Sequence, residues 1–229
     1  MKFNYCELFL SICGEGSEIF KPAVFVRASG CNMRCEYPCD TEYCFDKIIP
    51  IEVSDLVRKI REFNCPTVFL TGGEITLQRE ALEELVGILS RDTYHIIIQT
   101  NGTSFNSNVF YKCDMISLDV KGPSAGINNI SDDIVIYKTV ENFADKKTVQ
   151  LKFLVRDEAD YNFMKRKINQ YRANMRLFHL TEIIIGPVGG IDAKDLIEKV
   201  KQDNDLISMR NIRVGAQIHK FLWGNIQGV

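Results

Sequence analysis

CNMRCEYPCDTEYC, running from Cys31 to Cys44, lies between an apolar, β-rich run (Ala23 to Ala28) and a helical stretch, and about forty residues after its start comes TGGE, Thr71 to Glu74. Thiolates are the soft ligands that iron–sulfur chemistry requires. Cys31, Cys35 and Cys39, close together on one loop, can ligate three irons of a [4Fe–4S] cubane and leave the fourth iron open to a small chelating ligand. The same three with Cys44 as a fourth partner would close a tetrahedral structural zinc site, although zinc motifs more often pair their ligands as two separated CxxC knuckles.

Outward from this loop, short apolar runs alternate with amphipathic stretches of about ten residues, the signature of repeated βα units on a parallel sheet. Strands are expected at Ala23 to Ala28, Thr67 to Leu70, His95 to Gln99, Met115 to Asp119, Thr148 to Leu154 and Glu182 to Ile185. Helices are expected at Ser54 to Phe63, with Ser54 as N-cap, and at Gln78 to Leu89, Ala159 to Gln170 and Ala193 to Lys201, with a last short strand at Asn211 to Val214. Six strands predict an α/β fold built as an incomplete (βα)6 barrel in one domain spanning residues 1–229. Ligands in such folds sit at the carboxyl ends of the strands. The segments ASG, TGGE, QTNGT and SLDVKGPS all fall there. On residue chemistry alone, the paired glycines of TGGE let backbone approach a ligand, and Glu74 can accept from an ammonium. Asn101-Gly102 is equally an ordinary turn dipeptide.

Composition narrows the class. The chain has 229 residues, 45% hydrophobic content, a formal net charge of −2 and eight cysteines. No apolar stretch is long enough to span a bilayer, and the start MKFNYCELFL lacks the pattern of a signal peptide. A cytoplasmic enzyme is expected, with cysteines serving metal or redox chemistry rather than disulfides. Cys6, Cys65 and Cys113 read as small buried hydrophobes. The 28 basic and 30 acidic residues form no long block of one sign, which argues against a nucleic-acid partner.

Order and content of the motifs resemble the 7-carboxy-7-deazaguanine synthase family of the radical S-adenosylmethionine (SAM) superfamily. The motifs are GEG (Gly14 to Gly16), FVRASGCN (Phe25 to Asn32), CDT (Cys39 to Thr41), TGGE, TNGT (Thr100 to Thr103), KGPS (Lys121 to Ser124), LKF (Leu151 to Phe153), PVGG (Pro187 to Gly190) and QIHK (Gln217 to Lys220). The resemblance implies a 4Fe–4S cluster on Cys31, Cys35 and Cys39, with Mg2+ on the Thr41 hydroxyl. It places SAM against Gly73, Glu74, Asn101, Asp119, Val120 and Lys121, and a pterin substrate against Ile12, Cys13, Gly14, Arg27 and Thr71. Arg27 also makes chemical sense alone: a guanidinium fork binds a carboxylate in two places, and a charge within an apolar strand needs a partner; a structural salt bridge would satisfy it equally. Gln217 and His219 either reach the site or form a surface tail.

The implied reaction reduces SAM to methionine and a 5′-deoxyadenosyl radical that takes hydrogen from C6 of 6-carboxy-5,6,7,8-tetrahydropterin. The ring contracts, releasing ammonia, to 7-carboxy-7-deazaguanine, the precursor of queuosine and archaeosine. Also implied are a homodimer and an electron donor such as flavodoxin or ferredoxin. The chain departs from the family pattern in its CxxxCxxxC spacing, with Pro38 the apparent insertion, and in having Cys13 for Gln, Ile75 for Pro and Gln99 for Glu. A glycyl-radical activase and a non-catalytic metal-binding module are the alternatives from other classes.

Overall fold

The computed structural model describes residues 1–189, 192–224, 226 and 228; Gly190 of the PVGG motif lies outside the described residues. The chain opens on a long strand, β1 (Lys2–Ile12), antiparallel to β2 (Pro22–Ala28), and β3 (Ile49–Glu52) pairs antiparallel with the other edge of β1. From β2 the sheet continues in parallel through β4 (Thr67–Gly72), β5 (His95–Thr100), β6 (Met115–Lys121), β7 (Thr148–Val155), β8 (Glu182–Pro187) and β9 (Ile212–Val214). The strand order is β3-β1-β2-β4-β5-β6-β7-β8-β9, an open sheet among the described residues. All six expected parallel strands are present. The extension by β1 and β3 was not expected from the sequence.

Crossovers are made by α1 (Val53–Glu62), α2 (Arg79–Arg91), the single turn α3 (Ser107–Phe110), α4 (Asp133–Phe143), α5 (Glu158–Asn174) and α6 (Ala193–Lys201), with short α7 (Asn204–Ile207) and α8 (Ile218–Trp223) near the end. Ser54 is not the cap of α1. That helix starts at Val53 after an extended Glu52 with no side-chain cap, and Val53 N donates to Met1 O. Helix α4, absent from the sequence expectation, is the crossover that parallel β6 and β7 require. Asp132 caps it by accepting from Ile134 N, and Val135, Ile136, Thr139, Val140 and Phe143 form its buried face.

Side chains alternate across each strand, so the two faces of the sheet differ in kind. Val24, Val26 and Ala28 of β2, Val68 and Leu70 of β4, Ile96 and Ile98 of β5, Ile116, Leu118 and Val120 of β6, and Val149, Leu151, Phe153 and Val155 of β7 all join the main core under the helices. Burying each Val, Leu or Ile there contributes about 1.5–3 kcal/mol before the entropy of ordering is counted. The opposite face carries Phe25, Phe69, Ile97 and Met115 at the amino-terminal half of the strands. Arg27, Thr71, Gln99, Asp119, Lys121 and Lys152 occupy its carboxyl-terminal half.

This inner face curls. Ser17, in the β1–β2 turn, donates to Gln150 Oε1 of β7 through both N and Oγ (2.8 Å each) and also bonds Glu182 of β8. Ile218 N of α8 donates to Gly14 O at 2.9 Å. The turn therefore reaches from one half of the sheet to the other.

Candidate active site

A cavity occupies the curl at the carboxyl ends of the strands. Its floor is a ladder of stacked rings, Phe9 on Phe25 on Phe69, with centroids 5.2 and 5.0 Å apart and planes within 11° and 17°. Arg27 stands beside this floor, its Cζ 5.3 Å from the Phe9 centroid. Nη1 donates to Tyr43 Oη at 2.9 Å and Tyr43 in turn donates to Glu7 Oε2 at 2.6 Å. Arg27 Nε lies 3.3 Å from the same Glu7 oxygen, but its angle makes no hydrogen bond and leaves that buried N–H without an acceptor. Arg27 is thus both ion-paired and open to the cavity. Burial, with Glu7 as acceptor, pushes the Tyr43 phenol above its ordinary pKa, keeping it a donor.

Cys31, Cys35 and Cys39 all line this cavity. Their loop is pinned at several points. Gly30 N donates to Cys44 O, Glu36 N donates to Ala125 O, and Arg34 N donates to Asn129 Oδ1 at 2.8 Å. Asn129 Nδ2 returns bonds to Arg34 O and Ala125 O, both 2.8 Å. This buried asparagine copies the hydrogen bonding of a strand partner; the sequence reading passed over it because it sits in no motif.

Cys44 is disulfide-bonded to Cys6 and does not border the cavity that the other three cysteines share. The expectation that Cys6 is a free buried thiol is corrected by the same bond: β1 passes directly beneath the end of the cysteine loop. Among the described residues no three His, Cys, Asp or Glu side chains gather around one metal-ion position. Three thiols that border one cavity suit a cubane with one iron open.

TGGE has a different reason from the one expected. A Cβ on Gly72, whose φ is +124°, would lie 2.2 Å from Ala28 N, and one on Gly73 would lie 1.9 Å from Gly30 O. The glycines let β4 press against the start of the cysteine loop, where Gly73 N bonds Ala28 O and Glu74 N bonds Gly30 O. Gly73 faces the cavity; Glu74 does not. The Glu74 carboxylate is fully buried and accepts from Thr76 N, Thr76 Oγ1 and Thr100 Oγ1 at Oε1 and from Asn101 N at Oε2. Four internal donors use the oxygens expected to meet an ammonium.

Two further expectations are corrected. Cys13 packs with Ala23, Phe69, Ile97 and Met115, burial pushes its thiol up to about 12, and its N and O bond Lys21 and Phe20, so it contributes neither thiol nor free backbone to the cavity. Val120 points into the main core, as the period of two dictates between inward Asp119 and Lys121. The other expected residues, Ile12, Gly14, Arg27, Thr41, Thr71, Asn101, Asp119 and Lys121, all border the cavity. Asn101 forms the turn and borders the cavity. Its Oδ1 accepts from Thr103 N and Oγ1 in a tight turn, and its Nδ2 donates to Asn32 of the cysteine loop at 2.9 Å. Thr41 occupies the cap position of a short 3₁₀ turn (Glu42–Phe45) without capping it; its hydroxyl donates to Gly72 O at 3.1 Å and lies 3.6 Å from Cys39 Sγ.

Charge is concentrated on the inner face of β6 and β7. Asp119 accepts from Gln99 Nε2 at 3.1 Å, lies 3.4 Å from Lys121 Nζ and 3.9 Å from Lys152 Nζ, and Lys152 pairs with Glu15 at 2.8 Å. Burial disfavours the Lys121 ammonium, but Asp119 and Tyr37 more than offset it and raise its pKa. Gln217 and His219 also border the cavity, held by Gln217 Nε2 and Lys220 Nζ donating to Asp40 at 3.0 and 2.7 Å. The C-terminal segment is therefore part of the wall, not a surface tail.

The sequence profile of the radical SAM superfamily matches residues 25–146, more than half of the chain. The chain belongs to the radical SAM superfamily. Within it, the chain is 31% identical over 97% of its length to the 7-carboxy-7-deazaguanine synthase of Thermoplasma acidophilum, covering 98% of that protein. It is 32% identical, over the full length of both, to the 7-carboxy-7-deazaguanine synthase of Clostridium acetobutylicum. These identities place this radical SAM protein in the 7-carboxy-7-deazaguanine synthase family. The crystal structure of QueE from Escherichia coli shares its fold, with a TM-score of 0.71, 21% identity, and coverage of 96% of this chain and 95% of that one. As a radical SAM enzyme, the chain uses a 4Fe–4S cluster and SAM.

Proposed function

We propose that this chain contracts the ring of 6-carboxy-5,6,7,8-tetrahydropterin to 7-carboxy-7-deazaguanine with release of ammonia, a lyase step of 7-deazapurine biosynthesis. The observation that carries this reading is the shared cavity: three thiols face a flat aromatic floor with a guanidinium at its margin. A planar heterocycle bearing a carboxylate matches a stacked-ring surface and an arginine fork. When bound, the cluster and SAM supply the radical chemistry.

The protein's own part is placement, carried by one domain. Cys31, Cys35 and Cys39 hold the cluster. Gly73, Asn101, Asp119 and Lys121 would bound the adjoining space for SAM, to which the Asp119 carboxylate would offer an acceptor for positive or hydroxyl groups. Glu74 supports that space indirectly by fixing the ends of β4 and β5. Arg27, steadied by Tyr43 and Glu7, binds the substrate carboxylate, while Ile12, Gly14 and Thr71 border the ring. Thr41 offers one hydroxyl to Mg2+, an ion that takes oxygen ligands and keeps several waters. His219, neutral because burial lowers its pKa, closes the cavity and helps to exclude water. The resemblance of the chain supports flavodoxin or ferredoxin as the reductant and a homodimer as the working form.

The test is anaerobic reconstitution with iron, sulfide and SAM, reduction, and product analysis with the carboxypterin, with and without Mg2+. One 7-carboxy-7-deazaguanine and one ammonia per substrate are expected. A reconstituted cluster that leaves the pterin intact and passes radical activity to a protein would contradict the reading.

A further inference from the structure

The glutamate of the GEG motif and the lysine of LKF have no role in the chemistry described so far, and the fold brings them together. Glu15, in the β1–β2 turn, reaches across the inner face, and its Oε1 lies 2.8 Å from Nζ of Lys152 on β7. Glycines on both sides make this reach possible. A Cβ on Gly14 would lie 2.2 Å from His219 Nδ1, and one on Gly16, whose φ is +77°, would lie 2.8 Å from Gln150 Oε1. The Lys152 side chain is 5% exposed and that of Glu15 is 25% exposed, and both border the cavity. A buried ammonium must be paired. Burial works against the charge on Lys152, and Glu15 with Asp119 outweighs it, so the group stays charged.

The two carboxylates differ in what remains free. Asp119 meets Gln99 and both lysines, whereas Glu15, which borders the cavity, has no hydrogen-bond donor at Oε2 among the described residues. An ammonium has three N–H donors; Glu15 lies 2.8 Å from Lys152 Nζ, and Asp119, at 3.9 Å, is an ion-pair neighbour beyond hydrogen-bond reach, so Lys152 keeps at least one donor. The pair therefore offers two acceptor oxygens beside one donor. We propose that Glu15, held in place by Lys152, reads the 2-amino-4-oxopyrimidine edge of the substrate: the carboxylate accepts from the 2-amino group and N3–H, and Lys152 donates to the neighbouring carbonyl oxygen. Two parallel N–H groups are the partner a carboxylate fork accepts best. Glu15 is then a specificity-determining residue and Lys152 a positioning residue. The inference rests on the reaction proposed above and assigns the end of the substrate opposite its carboxylate.

The experiment is equilibrium dialysis of reconstituted enzyme with SAM against 7-carboxy-7-deazaguanine, which carries this edge, and its 2-deamino counterpart. Wild-type protein should prefer the first by about 10- to 100-fold, the range for losing one hydrogen bond to a charged acceptor. Glu15→Gln should lose that preference, because its amide turns a donor toward a donor. Lys152→Met should reduce the preference partway by freeing Glu15. A ratio of two dissociation constants on one sample does not depend on the fraction folded. Turnover of the carboxypterin by the same wild-type preparation separates the failures. Turnover with the preference kept in Glu15→Gln would overturn the role of Glu15 and leave the reaction standing; a wild type that forms no product would overturn both.

Discussion

The two faces of one parallel sheet follow opposite rules. Outward positions of β2, β4, β5, β6 and β7 are predominantly apolar and packed under helices. Inward positions grade from stacked rings to a crowd of charges, with Arg27, Asp119, Lys121 and Lys152 around one cavity. Alternation along each strand is enough to generate both. The two faces can therefore be altered separately. Outward changes should cost stability, and inward changes should cost chemistry.

The largest effect is expected on the inner side. Cys39→Ala should leave a folded chain with no stable cluster and at least about 10³-fold less turnover, since an iron loses its thiolate. Cys44→Ala should keep both cluster and product formation. Iron content, visible absorbance and product assay read both variants.

Next comes the outer face. Leu118→Ala removes a fully buried side chain beneath the helices and should lower unfolding free energy by about 2–5 kcal/mol in a denaturant titration. Turnover per folded molecule should not change. A large loss of turnover with stability unchanged would dissolve the division between the faces.

Arg27→Gln should do the reverse. Loss of a charge-assisted fork, about 1.5–3 kcal/mol, should raise KM for the carboxypterin about 10- to 100-fold with the denaturation midpoint little moved.

The smallest effect lies outside both faces, where Asp133 at the start of α4 bonds Lys167 and, at 2.5 Å, Tyr171 of α5. Burial disfavours its charge, but Lys167, Tyr171 and Gln170 more than compensate and lower its pKa. A lowered carboxyl pKa gives stability that is present above the unfolded value, near 4, and is lost as pH falls through the folded one. Asp133→Asn should cost under about 1 kcal/mol at neutral pH, given solvent screening. The gap from wild type should close below about pH 4 in chemical denaturation across pH.

Legibility in the sequence followed the same division. The six parallel strands were readable because their outward positions form short runs of buried, mostly β-branched or aliphatic residues between amphipathic stretches. Strand β1 was not: its register shifts between Tyr5 and Glu7, which breaks the period of two. Helix α4 was hidden by its β-branched run Ile134, Val135 and Ile136, a strand-like composition overruled by the Asp132 cap and the need for a crossover. At the site, residues in motifs were found, but their directions were not. Glu74 and Cys13 turn away from the cavity because tertiary donors and an apolar cluster claim them. Glu15, Lys152 and Asn129 act through partners more than 90 residues away in the chain, and no local pattern carries such a pairing.

The central claim is that three thiolates, and no fourth side chain, hold the cluster. Its most direct measurement is electron paramagnetic resonance of the reduced, anaerobically reconstituted protein with and without SAM, run alongside Cys44→Ala. The account predicts a [4Fe–4S] signal that shifts when SAM binds and does so equally in the variant. A signal indifferent to SAM, or a protein that takes up zinc in place of a cluster, would contradict it.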